Sequence, residues 1–357
     1  MTSVNPSKIA AAPPCGIAVA AIWRDHGDHP IVVSTEPASL DRTMVNDPRA
    51  APGWYWTSYW RGGAGVSLSH GQPGHRGAEV LQSLWSRTFA QAPRGARVLD
   101  LATGAGQVAA WAAQAGRDFI VTGVDLADIP PSRPEAPGVA FVGRSPLEAL
   151  PFEAGVFDLI VSQYGYEYGD RQKAAAELAR VLAPGGRARL VMHHRDSVLS
   201  SDYDARAAVF RAALRDIDPV RPGRKVFEMH RKGARGPALA EAEARFAAAV
   251  AKSRARLADG PAHAEARTYV DYLGALSAQP ARFAPSDALA KLDQVEQLTS
   301  AWLLRYQAQV RAVLDAQGVE SVRFRLARQG LDVGAAEPLS SDTGALLAWT
   351  LTLEKPG

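Results

Sequence analysis

The stretch Val98-Leu-Asp-Leu-Ala-Thr-Gly-Ala-Gly-Gln-Val108 constrains this chain more than any other. A short apolar run carries an acid near its end, a turn of small residues follows, and the Ala-rich pattern behind Gly106 meets no Gly or Pro before Gly116. That order predicts a buried strand, a tight loop and a helix. Gly104 and Gly106 have no Cβ, so the loop can take dihedrals barred to other residues and a ligand can lie directly on its backbone. Asp100, at the end of the strand, is expected to aim its carboxylate into the crevice where open α/β sheets bind ligands.

A glycine loop of this kind serves many nucleotide folds, and the following residues narrow the choice. Phe119-Ile-Val-Thr-Gly-Val-Asp125 is a second buried-strand pattern, and its acid stands 19 residues after Gly106, where a partner for ribose hydroxyls belongs. The third glycine of a G-x-G-x-x-G fingerprint is replaced by Ala109, which weakens a dinucleotide reading. Beyond Asp125 come Glu148-Ala-Leu-Pro-Phe152, Phe157-Asp-Leu-Ile-Val161 and Val181-Leu-Ala-Pro-Gly-Gly186. In that order the motifs resemble the class I S-adenosylmethionine-dependent methyltransferases, and within them the branch that methylates small molecules and quinone rings.

The resemblance implies a doubly wound, seven-stranded, mostly parallel Rossmann-like sheet of the α/β class, with S-adenosyl-L-methionine as cofactor. It places the donor's methionine end near Asp100 and Gly104, its ribose at Asp125 and its adenine by Ser145 and Leu147. Ala102, Thr103, Gly106, Leu126, Gln163 and Tyr164 complete the donor contacts expected from the core. The family commonly carries an acid where this chain has Pro146, so adenine recognition falls to Ser145, Leu147 and backbone groups, and Glu148 reads as a structural cap. The Asn/Asp-Pro-Pro-aromatic motif of enzymes that methylate exocyclic amines of DNA is missing from Ser162-Gln-Tyr-Gly-Tyr-Glu-Tyr168.

Trp54-Tyr-Trp-Thr-Ser-Tyr-Trp60 packs five rings into seven positions. It reads either as a lid, with Tyr59 and Trp60 facing a sulfonium cation, or as an amphipathic helix that fills a gap beside the sheet. Residues 76 to 92 read as the helix before the first strand. After Val161, Tyr166, Glu167 and Tyr168 are placed to face the acceptor. A fifth strand, Arg187 to Met192, delivers His193-His194-Arg-Asp196 to the same end of the sheet. A histidine there can take a proton near neutral pH, so His194, His193 and Tyr166 are the candidate catalytic groups, in that order. The His-His-x-Asp cluster is too compact to imply a metal.

From Ser197 to about Ala316 the chain leaves the family pattern. Ala-, Leu- and Arg-rich stretches broken at Pro219, Pro222, Gly236, Gly260, Pro280 and Pro285 predict four or five helices, a cap over the acceptor side. The resulting division is an extension at 1–50, a core at 51–196, the cap at 197–316, and a closing helix and strand pair at 317–357. Residues 1–43 read equally as a disordered extension or as a misassigned start. The run Ile9 to Trp23, interrupted by Pro13-Pro14, is too short to span a bilayer, and no later window reaches the required length. With Cys15 the single cysteine, no internal disulfide can form, and a cytoplasmic location is expected.

Arg221, Arg224, Lys225, His230, Arg231, Lys232 and Arg235 form a basic run with Phe227 as its one ring. A net charge of +3 and so little stacking capacity argue against nucleic acid. The reading is methyl transfer to O, N or C of a small aromatic or conjugated acceptor, and a homodimer stays open. A donor-binding protein without turnover that regulates another methyltransferase is the alternative. An RNA methyltransferase and a nicotinamide-dependent oxidoreductase stand behind it.

Overall fold

The computed structural model describes residues 51–61, 77–130, 136–200 and 202–357. The expectations for residues 1–50 lie outside them. Four strands, Arg97–Leu101 (β1), Ile120–Val124 (β2), Val139–Val142 (β3) and Phe157–Gln163 (β4), run parallel to one another and to Leu182–His193 (β5). They are apolar on both sides because both sides are covered. Helices Gly77–Gln91 (α2) and Gln107–Ala113 (α3) bury Trp85, Phe89, Val108 and Ala109 on one face. Helices Arg171–Val181 (α4) and Ala316–Ala327 (α10) bury Leu178, Val319 and Leu326 on the other. A short aromatic helix, Trp54–Arg61 (α1), precedes them all.

The sheet runs β3-β2-β1-β4-β5-β8-β6, with Leu346–Glu354 (β8) antiparallel to β5. Both Asp332–Val333 (β6) and Glu337–Ser340 (β7) pair with β8, so the sheet has eight strands where seven were expected. The extra strand comes from a break in the edge: Gly334 still donates to the Thr352 carbonyl at 2.9 Å before the chain leaves the ladder and returns as β7. Pro338 is tolerated in β7 because an edge strand can do without one ladder donor. The fifth strand, expected from Arg187, begins at Leu182, and Pro184-Gly185-Gly186 is an irregularity within it. Leu182 pairs Phe157, the register shifts, and Arg187 pairs Leu159.

Between β5 and α10 the chain forms a helical cap. Tyr203–Phe210 (α5) widens into a π turn at Arg211–Arg215. Val220–Arg231 (α6), Pro237–Arg254 (α7), Pro261–Ala278 (α8) and Pro285–Ala312 (α9) follow. Three of these helices begin on proline, whose missing N–H is unneeded in a first turn. Pro222 was expected as a break and lies inside α6, also in its first turn. Much of the basic run therefore becomes a helix, and part of its charge is answered within the cap: Arg224 pairs with Asp293 and Glu296, and His230 with Glu243. Phe210, Phe227, Phe246, Val270, Leu273 and Leu292 form a separate apolar core in which each is fully buried.

Helix α9 then stitches the cap to the sheet. Past its end, Leu314 N donates to the His193 carbonyl, and Arg195 N donates to the Leu314 carbonyl, each at 2.9 Å. Phe246, whose ring packs on Gly223 and Phe227, is the centre of the cap core. Phe246→Ala is expected to cost about 3–5 kcal/mol, read as a lowered urea midpoint for the loss of helical circular dichroism.

Candidate active site

The loop between β1 and α3 is held by two buried carboxylates. Asp100 Oδ2 accepts from Thr103 Oγ1 at 2.7 Å and from the Ala109 amide at 3.1 Å. Its carboxylate thus closes the loop onto the first turn of the helix, where the expectation had it aimed into the crevice. Burial pushes its carboxyl up to about 7; the two hydrogen bonds oppose that rise and the charge of Asp125 adds to it. Asp125 Oδ2 accepts the Gly104 amide and its Oδ1 the Ala127 amide, both at 2.8 Å. Gly104 has φ +54, and a Cβ built there would lie 2.4 Å from the Trp60 ring. The indole rests directly on the backbone, a contact only glycine allows.

A cavity of about 120 Å³ opens at the carboxyl ends of β1, β2 and β4. Trp56, Trp60, Ala102, Asp125, Leu126, Pro146, Leu147, Tyr164 and Tyr168 are among its walls. Gly165 is needed there for a close approach, since a Cβ on it would meet the Ala102 methyl at 2.4 Å. Ser145 lies behind the cavity, its amide on the Asp125 carbonyl at 2.8 Å and its hydroxyl buried without a partner. Gln163 gives its side-chain oxygen to the Trp85 indole at 2.6 Å, and Glu148 accepts the Asp170 amide at the start of α4. A larger groove of about 920 Å³ lies at the opposite, amino end of the parallel strands, walled by Asp158, Arg187, Arg189 and Glu354. It is outside the crevice where this topology places ligands.

The two histidines face opposite sides of β5, as successive strand residues must. His194 stacks on Trp349 at 4.3 Å and its Nδ1 accepts the Asp196 amide at 3.1 Å. Burial lowers its pKa and the charge of Asp196 opposes that shift. His193 turns the other way, onto the ring of Tyr164 at 4.6 Å. Glu167, with a side chain that is 0% exposed, accepts from both the backbone N and Nδ1 of His193 at 2.7 Å. The other ring nitrogen, Nε2, lies 3.2 Å from the hydroxyl of Tyr203 on α5. A carboxylate at Nδ1 requires the proton there, which leaves Nε2 as the acceptor of the tyrosine O–H.

Tyr166 has no place in this group. It is 0% exposed, its ring belongs to the core under α4 and α10, and its hydroxyl is buried without a partner. The three residues 166–168 form a single 3-10 turn, which sends Tyr166 inward while Glu167 and Tyr168 reach His193. Tyr59 meets Trp60 edge-on at 4.7 Å and Trp302 of α9 at 6.4 Å. Tyr203, Trp302 and Arg305 come from the cap and carry no local motif. Only the helical folding of the insertion brings them to the sheet.

Residues 99–190 match the methyltransferase domain family. This segment holds the glycine loop and the paired acids Asp100 and Asp125, and it is similar to methyltransferase domains. The chain is 42% identical over 98 residues to a demethylmenaquinone methyltransferase of Thermus thermophilus, covering 26% of this chain and 44% of that one. It is 36% identical over 116 residues to the ubiquinone/menaquinone biosynthesis C-methyltransferase UbiE of Geobacter sulfurreducens, covering 29% and 45%. The chain thus spans less than half the length of either relative. A solved 1,6-didemethyltoxoflavin-N1-methyltransferase of Burkholderia thailandensis aligns at 14% identity with a TM-score of 0.40, over 90% of this chain and 100% of that one. Among the described residues no helix is long and apolar enough to cross a membrane, and no group of three His, Cys, Asp or Glu could hold a metal ion.

Asp100 holds its proton up to about pH 7 when folded, against 3.8 as the ordinary value. The folded state binds the extra proton, so this group's contribution to stability falls as pH rises from about 4 to about 7. Asp100→Asn keeps an acceptor for Thr103 and Ala109 and removes the titration. Melting temperatures measured across that interval should decline less in the variant than in the parent.

Proposed function

We propose that this protein transfers a methyl group from S-adenosyl-L-methionine to a small aromatic or conjugated acceptor, with His193 as the base. The observation that carries the reading is the chain Glu167, His193, Tyr203 at the carboxyl ends of β4 and β5, where His193 meets Tyr164 and Tyr168 of the cavity wall. When bound, the donor supplies a methyl group already activated on a sulfonium. The residues that would hold it fit: a loop whose Gly104 admits a ring onto its backbone, Asp125 beside it, the unpartnered Ser145 hydroxyl, and the apolar Leu126 and Leu147.

The chain's own task is to orient the acceptor in line, exclude water and remove a proton where the acceptor has one. Tyr164, Tyr168, Trp56 and Trp60 line the cavity with rings, which favours a flat partner. An acceptor O–H that donates to the Tyr203 oxygen can pass its proton to Tyr203 as Tyr203 gives its own to His193 Nε2. Glu167 then stabilises the imidazolium through Nδ1. The acceptor gains the methyl, the donor sulfur regains its electron pair, and the proton ends on His193. Relatives named as a demethylmenaquinone methyltransferase and a ubiquinone/menaquinone biosynthesis C-methyltransferase support an acceptor of the quinone type. A cytoplasmic location suits a chain with one cysteine.

Calorimetry with S-adenosylhomocysteine and with a nicotinamide dinucleotide, followed by labelled methyl transfer into a cell extract, tests the reading. Binding of the first ligand alone, with label incorporated, is the expected result; tight binding without incorporation would leave a regulatory donor-binding protein. Asp125→Ala should weaken S-adenosylhomocysteine by roughly 1–3 kcal/mol. Glu167→Gln and His193→Gln should leave its affinity within about twofold and lower the transfer rate about 10²- to 10⁴-fold.

A further inference from the structure

The cap brings to this region a cation that the methyl transfer described above does not employ. Arg305, on α9, is 6% exposed. Among the described residues its guanidinium has neither an ion pair nor a hydrogen bond, and its Nε is buried without an acceptor. Glu265, whose charge reaches it, gives Oε1 to Arg206 at 2.7 Å. Aromatic faces surround it: the guanidinium carbon lies 3.5 Å from the ring centre of Trp302, 4.0 Å from Tyr59 and 5.3 Å from Tyr306. Ring faces attract a guanidinium, but they return only part of what a buried charge loses on leaving water. Desolvation accordingly holds the Arg305 pKa below its ordinary value.

Its position gives this cation a use. Tyr59 touches Trp60, and Trp60 lies on Gly104, so one aromatic pair separates Arg305 from the donor loop. Helix α9 also packs against α5 and against the turn at 166–168, where the charge of Arg305 acts on Tyr203 and Tyr168, and Tyr203 is the residue bonded to His193. We propose that Arg305 is the oxyanion-binding residue of the acceptor site, and that the acceptor carries a delocalised oxyanion conjugated with its ring. A planar guanidinium, stacked and always charged, is suited to such a group. A ring carboxylate and an ionised ring hydroxyl share this chemistry. The inference rests on the acceptor site proposed above.

The test compares the full-length protein with Arg305→Met and Arg305→Lys by titration calorimetry. The probes are 3-hydroxy-2-naphthoate, its neutral amide, and 4-nitrophenol at acid and alkaline pH. The parent should bind at least one anion about tenfold more tightly than the neutral form of the same probe. Preference for the naphthoate identifies a carboxylate, and preference for the phenolate an ionised hydroxyl. Arg305→Met should abolish the preference and Arg305→Lys should retain part of it; Arg305→Gln carries the comparison should the Met variant fail to fold. No preference in the parent, or one that survives loss of the charge, overturns the proposal. S-adenosylhomocysteine titrated alongside separates the two readings. Intact donor binding without anion preference sinks Arg305 alone, and absent donor binding in the parent sinks the methyl-transfer reading itself.

Discussion

The turn that Asp100 closes is the constraint on which this structure depends. Burying an acid at the end of a strand is costly, and two donors, the Thr103 hydroxyl and the Ala109 amide, converge on one oxygen and offset part of that cost. Asp125 takes hold of the same loop from the neighbouring strand through the Gly104 amide. The two acids fix where the backbone of Gly104 is laid bare, and the aromatic helix α1 settles on that bare place through Trp60. Loop, aromatic helix and cavity wall are therefore one mechanical unit anchored in β1 and β2.

On this frame the cap and the sheet each contribute side chains to the proposed site. The sheet side offers glycines, acids and His193; the cap side offers Tyr203, Trp302 and Arg305. Glu167 links the halves, because it fixes the ring of His193 so that Nε2 meets a residue of α5. The cap keeps an apolar core of its own, and its contacts with the sheet region include the rings of Tyr59, Trp302 and Tyr203. Tyr203 and Trp302 also pack against that core, so the boundary and the interior of the cap are continuous.

What could be read from the sequence follows from which residues the backbone dictates. The strand, loop and helix at β1 and α3 were legible because only small residues fit that turn and because buried parallel strands are apolar throughout. The edge strand β7 was not, since Glu337-Pro338-Leu339-Ser340 has neither a clear alternation nor a full set of donors. Alternation implied that His193 and His194 face opposite ways, but which one turns toward the cavity depends on the register of β5 against β8. In the same manner, a single 3-10 turn decides that Glu167 rather than Tyr166 meets the histidine. Tyr203 and Arg305 left no signal, because a helical pattern encodes the buried stripe of the cap and not the distant strand to which its other face returns.

Strand β8 lies between β5 and the pair formed by β6 and β7, although it is the last of them along the chain. Ala348 stands opposite His193, the Leu347 carbonyl receives the Tyr164 hydroxyl, and Trp349 covers His194. The wall behind both imidazoles is thus completed by residues 346–354, the last strand along the chain, so the two histidines on β5 and the closing strand form one packed unit.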